Sequence, residues 1–311
     1  GEVGFISQSG VLAIILMLLG NSMDIHFSKV ISLGNAADID AGEAMKYLAK
    51  DPQTKVIALY LESVRRGRKF VEISKEVAKI KPIVAFKSGR SSSGARATSS
   101  HTVALAGIDA IYDAGFKQSG IIRAPTSRSL LQISKAFISQ PLPKGPRMAI
   151  LTTSGGLAAE ACDFCDDHGL RVSDLSKETE IRLRQFLPPY LGIQNPIDIG
   201  PPDPRKGEMF VKSMETLVSS EEVDGVICIS HGVDFDVLGD HIDKLPETIR
   251  RHNKPVIAVG IPRNREAWDK AIVKFNEASI PCYDEPRVAV IAMASLFRYY
   301  KYIQESSVEK T

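Results

Sequence analysis

A histidine at the end of a stretch crowded with hydroxyls, glycines and cations is the natural place to look for chemistry. His101 closes the run Lys87-Ser88-Gly89-Arg90-Ser91-Ser92-Ser93-Gly94-Ala95-Arg96-Ala97-Thr98-Ser99-Ser100-His101, which leaves an apolar segment at 83–86 and leads to a helix-like stretch at 104–114. Neutral imidazole is a competent nucleophile near neutral pH, and a phosphoryl group on it gains from nearby cations and backbone N–H donors. Lys87, Arg90 and Arg96 are the cations of this stretch. A long Gly/Ser loop joining a strand to a helix in a compact domain is either functional or disordered. The composition suits phosphoryl handling; the plain alternative is a capping or surface histidine.

Glu62 strengthens the chemical reading. It closes the apolar run at 56–61, and strand C-terminal ends in open α/β sheets point into the ligand crevice, where the segment at 83–86 delivers its loop as well. A carboxylate there can hold one ring nitrogen of His101 so that the other faces a phosphoryl donor. A solvated strand-end charge is the bland counterpart.

A second signal is a repeat. Phe5-Ile6-Ser7-Gln8-Ser9-Gly10-Val11-Leu12-Ala13 lines up with Ile150-Leu151-Thr152-Thr153-Ser154-Gly155-Gly156-Leu157-Ala158 at a constant offset of 145 residues. In each copy an apolar strand ends in hydroxyl-x-Ser-Gly and turns into an apolar helix. Strand end, glycine and unpaired helix-start N–H groups together make an anion site, so Ser9, Gly10, Ser154, Gly155 and Gly156 are candidate phosphate-binding residues. Ser and Gly are also ordinary cap and turn residues. Neither strand is followed by GxxxxGK[ST] or GxGxxG, so no P-loop or dinucleotide fingerprint is present.

These residues must be positioned by elements, and the chain alternates short apolar runs with amphipathic stretches. Runs at 3–7, 30–33, 56–61, 83–86 and 121–122, then at 148–151, 226–230 and 256–259, read as parallel strands; helices are expected at 157–168, 206–218, 237–251 and 286–303. The rhythm restarts after the Pro-rich segment 139–146. The expected fold class is α/β: two Rossmann-like or flavodoxin-like three-layer domains with mainly parallel sheets, at 1–140 and 141–311.

At 311 residues and 44% hydrophobic, the chain can bury two cores. Lys plus Arg number 39 against 37 Asp plus Glu, with no basic run, which argues against nucleic acid and for a small charged metabolite. Four cysteines form no disulfide framework and fit a reducing cytoplasm. Residues 10–20 are too short to span a bilayer and lack the basic flank of a signal peptide; they read as a buried helix. The chain opens on Gly and runs at once into a strand, as an excerpt of a longer polypeptide would.

Other candidates carry less. Cys162 and Cys165 are spaced C-x-x-C inside a helix, which merely places two thiols on one face, and no further ligand pair stands nearby, so no metal or redox site is expected; Cys228 and Cys282 read as core. His231 before Gly232 is a strand-end contact or a turn residue, and His168 before Gly169 a helix-end residue. Asp38 and Asp40 offer a helix cap, and Asn195-Pro196-Ile197-Asp198-Ile199-Gly200 is a ligand loop or a simple turn.

Taken in order, Gly34-Asn35-Ala36-Ala37-Asp38, Leu59-Tyr60-Leu61-Glu62, Lys87-Ser88-Gly89-Arg90, Ser100-His101-Thr102, Thr153-Ser154-Gly155-Gly156, Asn195-Pro196-Ile197-Asp198 and Pro281-Cys282-Tyr283 resemble the nucleoside-diphosphate-forming acyl-CoA synthetases, relatives of succinyl-CoA synthetase found among archaea. The resemblance implies that His101 is the phosphorylated histidine and Glu62 its stabilising carboxylate. It implies that the helices opening at Ser9-Gly10 and Ser154-Gly155 cradle the phosphohistidine. It further implies CoA and ADP or ATP with Mg as substrates, an ATP-grasp subunit or domain and a CoA-binding Rossmann domain as partners, and an oligomer. Two positions depart from the family pattern: Val103 stands where a Gly is usual and restricts a swinging loop, and Ser63 stands where Gly is expected. The alternative class is a non-catalytic, synthetase-like regulatory module, which tends to lose the reactive histidine that this chain keeps.

Overall fold

The computed structural model describes residues 1–101, 108–201 and 203–308, with side chains over 1–96, 108–201 and 203–307. The chain divides into two compact units, Gly1–Ile138 with Lys301–Thr311, and Ser139–Tyr300. Residues from Lys301 onward therefore group with the first unit and not, as the sequence reading had them, with the second.

In the first unit β1 (Val3–Ser7), β2 (Phe27–Ser32), β3 (Val56–Leu61), β4 (Ile83–Lys87) and β5 (Ile122–Arg123) form a parallel sheet in the order β2-β1-β3-β4-β5. Every residue of β1 and β3 is buried, as expected of strands covered on both faces by crossover helices. Those helices are α1 (Gly10–Ser22), α2 (Ala41–Lys50), α3 (Gly67–Ala78), α4 (Ser92–His101), α5 (Asp109–Ser119) and α6 (Ser127–Ser139). Met45, Leu48, Leu59, Ile73, Ile83 and Phe116 join one apolar cluster against the sheet. Asp40 starts α2 with a capping box: its Oδ1 accepts from Glu43 N–H at 3.0 Å, and Glu43 returns the bond to Asp40 N–H at 3.0 Å.

The second unit repeats the plan. β6 (Arg147–Thr152), α7 (Gly155–Asp167), β7 (Arg171–Val172), α8 (Lys177–Arg184), β8 (Ile197–Asp198), α9 (Lys206–Ser219), β9 (Gly225–His231), α10 (Gly232–His241), α11 (Leu245–His252), β10 (Val256–Ile261), α12 (Arg265–Glu277), β11 (Cys282–Tyr283) and α13 (Pro286–Val308) follow one another. The strand order is β11-β10-β9-β6-β7, with β8 also on β6. β7 pairs with the start of β6, at Arg147 and Met148, and β8 with its end, at Leu151 and Thr152. Two short strands thus fill the place that β2 fills alone, and both units share the flavodoxin-like order. The final turns of α13 belong to the first unit: the Tyr302 ring packs on the first core and fills the space beside Gly120, leaving no room there for a Cβ.

Three expectations are corrected. The segment 88–101 is not one long loop, because Ser92–His101 is helical; Ser91 starts it, its hydroxyl accepting from Gly94 N–H at 3.1 Å. The helix expected at 237–251 starts earlier, at Gly232, and is interrupted by a 3-10 turn at Ile242–Lys244 ahead of Pro246, a residue that supplies no N–H to continue a helix. The helix at 10–20 is present but is not buried: Val11, Ile14, Ile15 and Leu18 are 51–70% exposed, and only Ala13, Leu16 and Gly20 are buried.

Candidate functional site

At the C-terminal edge of the first sheet, β1 ends in a hydroxyl turn. Ser7 Oγ donates to the Ser9 carbonyl at 2.7 Å and accepts from Ser9 N–H at 3.2 Å, and Ser9 Oγ then caps α1 by accepting from Leu12 N–H at 3.3 Å. Gly10 lies exposed at the helix start. On the neighbouring strand Glu62 follows β3, half-buried, with Tyr60 Oη 3.5 Å from its Oε1. Burial, opposed by a Ser88 hydrogen bond, raises the pKa of Tyr60, so its hydroxyl stays a proton donor to the carboxylate.

Leu61 pairs with Lys87 across β3 and β4. Lys87 itself is 3% exposed: its ammonium lies 4.6 Å from the Tyr112 ring centroid and donates to the Ser88 carbonyl. Burial pulls its pKa down, with Asp109 opposing. The expectation of a loop cation at 87 is corrected to that of a buried strut at the end of β4. Gly89 takes a left-handed conformation, φ 70°, to turn the chain toward α4, and Arg90 and Arg96 are exposed along that segment. His101 ends α4; its side chain lies outside the described residues, as does Val103.

The same turn recurs in the second unit. Thr152 Oγ1 donates to the Ser154 carbonyl at 3.0 Å and accepts from Ser154 N–H at 2.9 Å. Here the serine does not cap: Ser154 gives α7 no side-chain hydrogen bond, so the first N–H groups of that helix keep no such partner, and Gly155 and Gly156 stand exposed. A carboxylate flanks this start. Asp198 Oδ2 would lie 3.3 Å from a Cβ placed on Gly155, while its Oδ1 accepts from Gly200 N–H at 2.8 Å. Lys206, 7% exposed, bonds the Gly200 carbonyl at 2.8 Å and Asp234 at 3.0 Å. His231 closes β9, exposed.

The Asn195-Pro196 segment, offered above as a ligand loop or a turn, has a structural use. Asn195 Oδ1 accepts from Ile150 N–H at 2.8 Å, and its Nδ2 donates to the Met148 and Ser173 carbonyls at 2.9 and 2.8 Å. Cys162 and Cys165 are free thiols, and burial pushes Cys165 up to about 12, far from a reactive thiolate. His168 Nδ1 donates to the Phe164 carbonyl at 2.9 Å, a helix-end bond. Among the described residues no cluster of three metal-ligating groups exists, and no helix is long and apolar enough to cross a membrane. Sequence reasoning did not pick out Gln8, Asp198 as a neighbour of Gly155, or Lys206; the strand register exposes Gln8, and only side-chain geometry exposes the other two.

A family model described as the succinyl-CoA ligase like flavodoxin domain matches residues 1–137. Subunit alpha of the ADP-forming acetate–CoA ligase II of Pyrococcus furiosus is 38% identical over 307 residues, 97% of this chain and 66% of that protein. A structure titled dinucleotide-forming acetyl-coenzyme A synthetase 1 of Ca. Korarchaeum cryptofilum, in complex with phosphate and ADP, matches with a TM-score of 0.89 at 32% identity, covering 98% of this chain and 67% of that one. The chain belongs to the ADP-forming acyl-CoA synthetase family. The ADP-forming acetate–CoA ligase I of Archaeoglobus fulgidus is 36% identical over 311 residues, 100% of this chain but 44% of that protein. The chain thus spans less than two thirds of these curated relatives, and its two sheets carry the succinyl-CoA synthetase type of fold.

Proposed function

We propose that this chain is the phosphohistidine-carrying core of an ADP-forming acyl-CoA synthetase, a ligase that interconverts acyl-CoA, ADP and phosphate with free acid, CoA and ATP. One observation supports it most: Glu62 and the segment leading to His101 leave neighbouring parallel strands at the same sheet edge, at the paired positions Leu61 and Lys87. In the reaction so read, phosphate attacks the thioester carbonyl and expels the CoA thiolate, giving an acyl phosphate. The free ring nitrogen of His101 attacks its phosphorus, and the carboxylate leaves. The β-phosphate oxygen of ADP then takes the phosphoryl group from His101, forming ATP. Glu62 holds the other ring nitrogen and stabilises the cationic phosphoimidazole.

Phosphoryl transfer of this kind needs mainly placement and charge stabilisation. In the first unit the turn at Ser9-Gly10 and the exposed Arg90 and Arg96 are groups suited to it; in the second, taken by itself, the uncapped N–H groups at the start of α7 are. Mg enters with the nucleotide as substrate. An ATP-grasp subunit or domain and a CoA-binding Rossmann domain complete the enzyme, which works in the cytoplasm as an oligomer.

The test mixes the chain with the nucleotide-binding partner and γ-labelled ATP. Acid-labile, base-stable label is expected on the wild-type chain and is expected to vanish in His101→Ala. Label that survives this substitution rejects the reading.

A further inference from the structure

The strand exit that carries Glu62 is held by a side chain that no motif singles out. Gln8 sits one residue beyond β1, and its backbone N–H donates to the Tyr60 carbonyl at 3.3 Å, extending the ladder between β1 and β3. Its side-chain amide then reaches past the end of β3. Oε1 accepts from Glu62 N–H at 2.5 Å and from Ser63 N–H at 3.0 Å, and Nε2 donates to the Ser63 carbonyl at 3.0 Å. Two N–H groups require an acceptor and the carbonyl a donor, so the network itself fixes which end of the amide is which.

The second unit supplies an internal comparison. Ser7 lies opposite Tyr60 in the first sheet, and Thr152 opposite Ile229 in the second. Thr153 N–H donates to the Ile229 carbonyl at 3.0 Å, as Gln8 does to Tyr60. By register Thr153 therefore stands where Gln8 stands, and His231 where Glu62 stands. A threonine is too short to span to the next strand, and the buried Thr153 hydroxyl has no hydrogen-bond partner among the described residues. One turn geometry has been kept twice, but among the described residues the amide clamp accompanies the copy that has a carboxylate, Glu62, at the register position where the other has His231.

We infer that Gln8 is a positioning residue for Glu62, its three side-chain hydrogen bonds fixing the β3 exit so that the carboxylate is presented to the imidazole of His101 in one place. This rests on the roles given to Glu62 and His101 above. Without the amide, the Glu62 and Ser63 N–H groups and the Ser63 carbonyl turn to water, and the exit pivots. A misplacement of roughly 1 Å in a catalytic constellation is enough to cost up to about a hundredfold in rate.

The full chain is treated with potassium phosphoramidate, which phosphorylates histidine without a partner protein. Phosphorus NMR reports which ring nitrogen of His101 is modified and how fast, and proton–carbon NMR follows the titration of its ring. The wild-type chain is expected to give one isomer. Gln8→Leu is expected to give both, about tenfold more slowly, with the ring titrating at lower pH, whereas Gln8→Glu, which keeps an acceptor for both N–H groups, stays within about threefold. Gln8→Met, close in shape but without an amide, asks the same question where Gln8→Leu does not fold. Glu62→Gln is the control. If it changes the isomer ratio and the titration while the Gln8 variants that lack an amide change neither, the inference is overturned alone; if Glu62→Gln itself changes neither, the pairing of Glu62 with His101 falls and the inference with it.

Discussion

Asn195 supplies hydrogen bonds that two-residue strands cannot. Its amide joins Ile150 N–H and the Met148 carbonyl of β6 to the Ser173 carbonyl just beyond β7, stitching the sheet where β7 stops and β8 begins. Removing it in Asn195→Ala leaves the Ile150 N–H without its acceptor and is expected to destabilise the second unit by about 2–4 kcal/mol, read as a lower urea midpoint at unchanged slope. An unchanged midpoint would mean that water takes over all three bonds. The sequence presents Asn-Pro-Ile-Asp as a turn or a ligand loop because it shows no side-chain direction. Glu62 is legible for the opposite reason: an apolar run that stops at a charge marks a strand end without knowledge of any partner. Gln8 lies between these cases, hidden among turn residues until the register of two strands gives its amide something to reach.

Length helps but does not decide which elements are readable: the two-residue β5 is marked by the apolar run at 121–122, while the six-residue β2 shows only in its second half. The six-residue runs of β3 and β10 announce themselves, while β7, β8 and β11 hold two residues each and carry no periodicity. α4 escaped because Ser and Gly, which begin it, are loop residues by propensity. A comparable economy fixes α8. Ser176 caps it, accepting from Thr179 N–H at 3.2 Å, and Ser176 N–H in turn donates to Glu222 Oε1 at 2.7 Å. Burial pushes the Glu222 carboxyl up, but the hydrogen bonds from Ser176 and Thr179 outweigh it and hold it at about 2 against an ordinary 4.5. A depressed carboxylate contributes stability that is fully present above its unfolded value and is lost as pH falls toward the folded one. Glu222→Gln is therefore expected to cost about 1–2 kcal/mol near neutral pH, allowing for solvent screening, and nothing near pH 2, with the difference closing between about pH 5 and 2. Thermal melts across that range test it; a constant difference would contradict the assignment.

For the molecule as a whole, two copies of one strand order have specialised on their edges while keeping the same hydroxyl turn. The copies also differ outside the edge. α1 is apolar all round yet shows Val11, Ile14, Ile15 and Leu18 to solvent, a stripe at helical spacing that ordinarily calls for a cover. The chain alone is expected to bind a hydrophobic dye, and the double substitution Ile14→Gln, Leu18→Gln to lower that fluorescence with a stability change under about 0.5 kcal/mol. A loss of several kcal/mol would show the stripe to be packed. Because Tyr302 and the turns around it complete the first unit, a ribosome releases the whole second unit before it releases the residues that close the first. Within this chain, the unit that is begun first is therefore expected to finish folding only once the second has been synthesised.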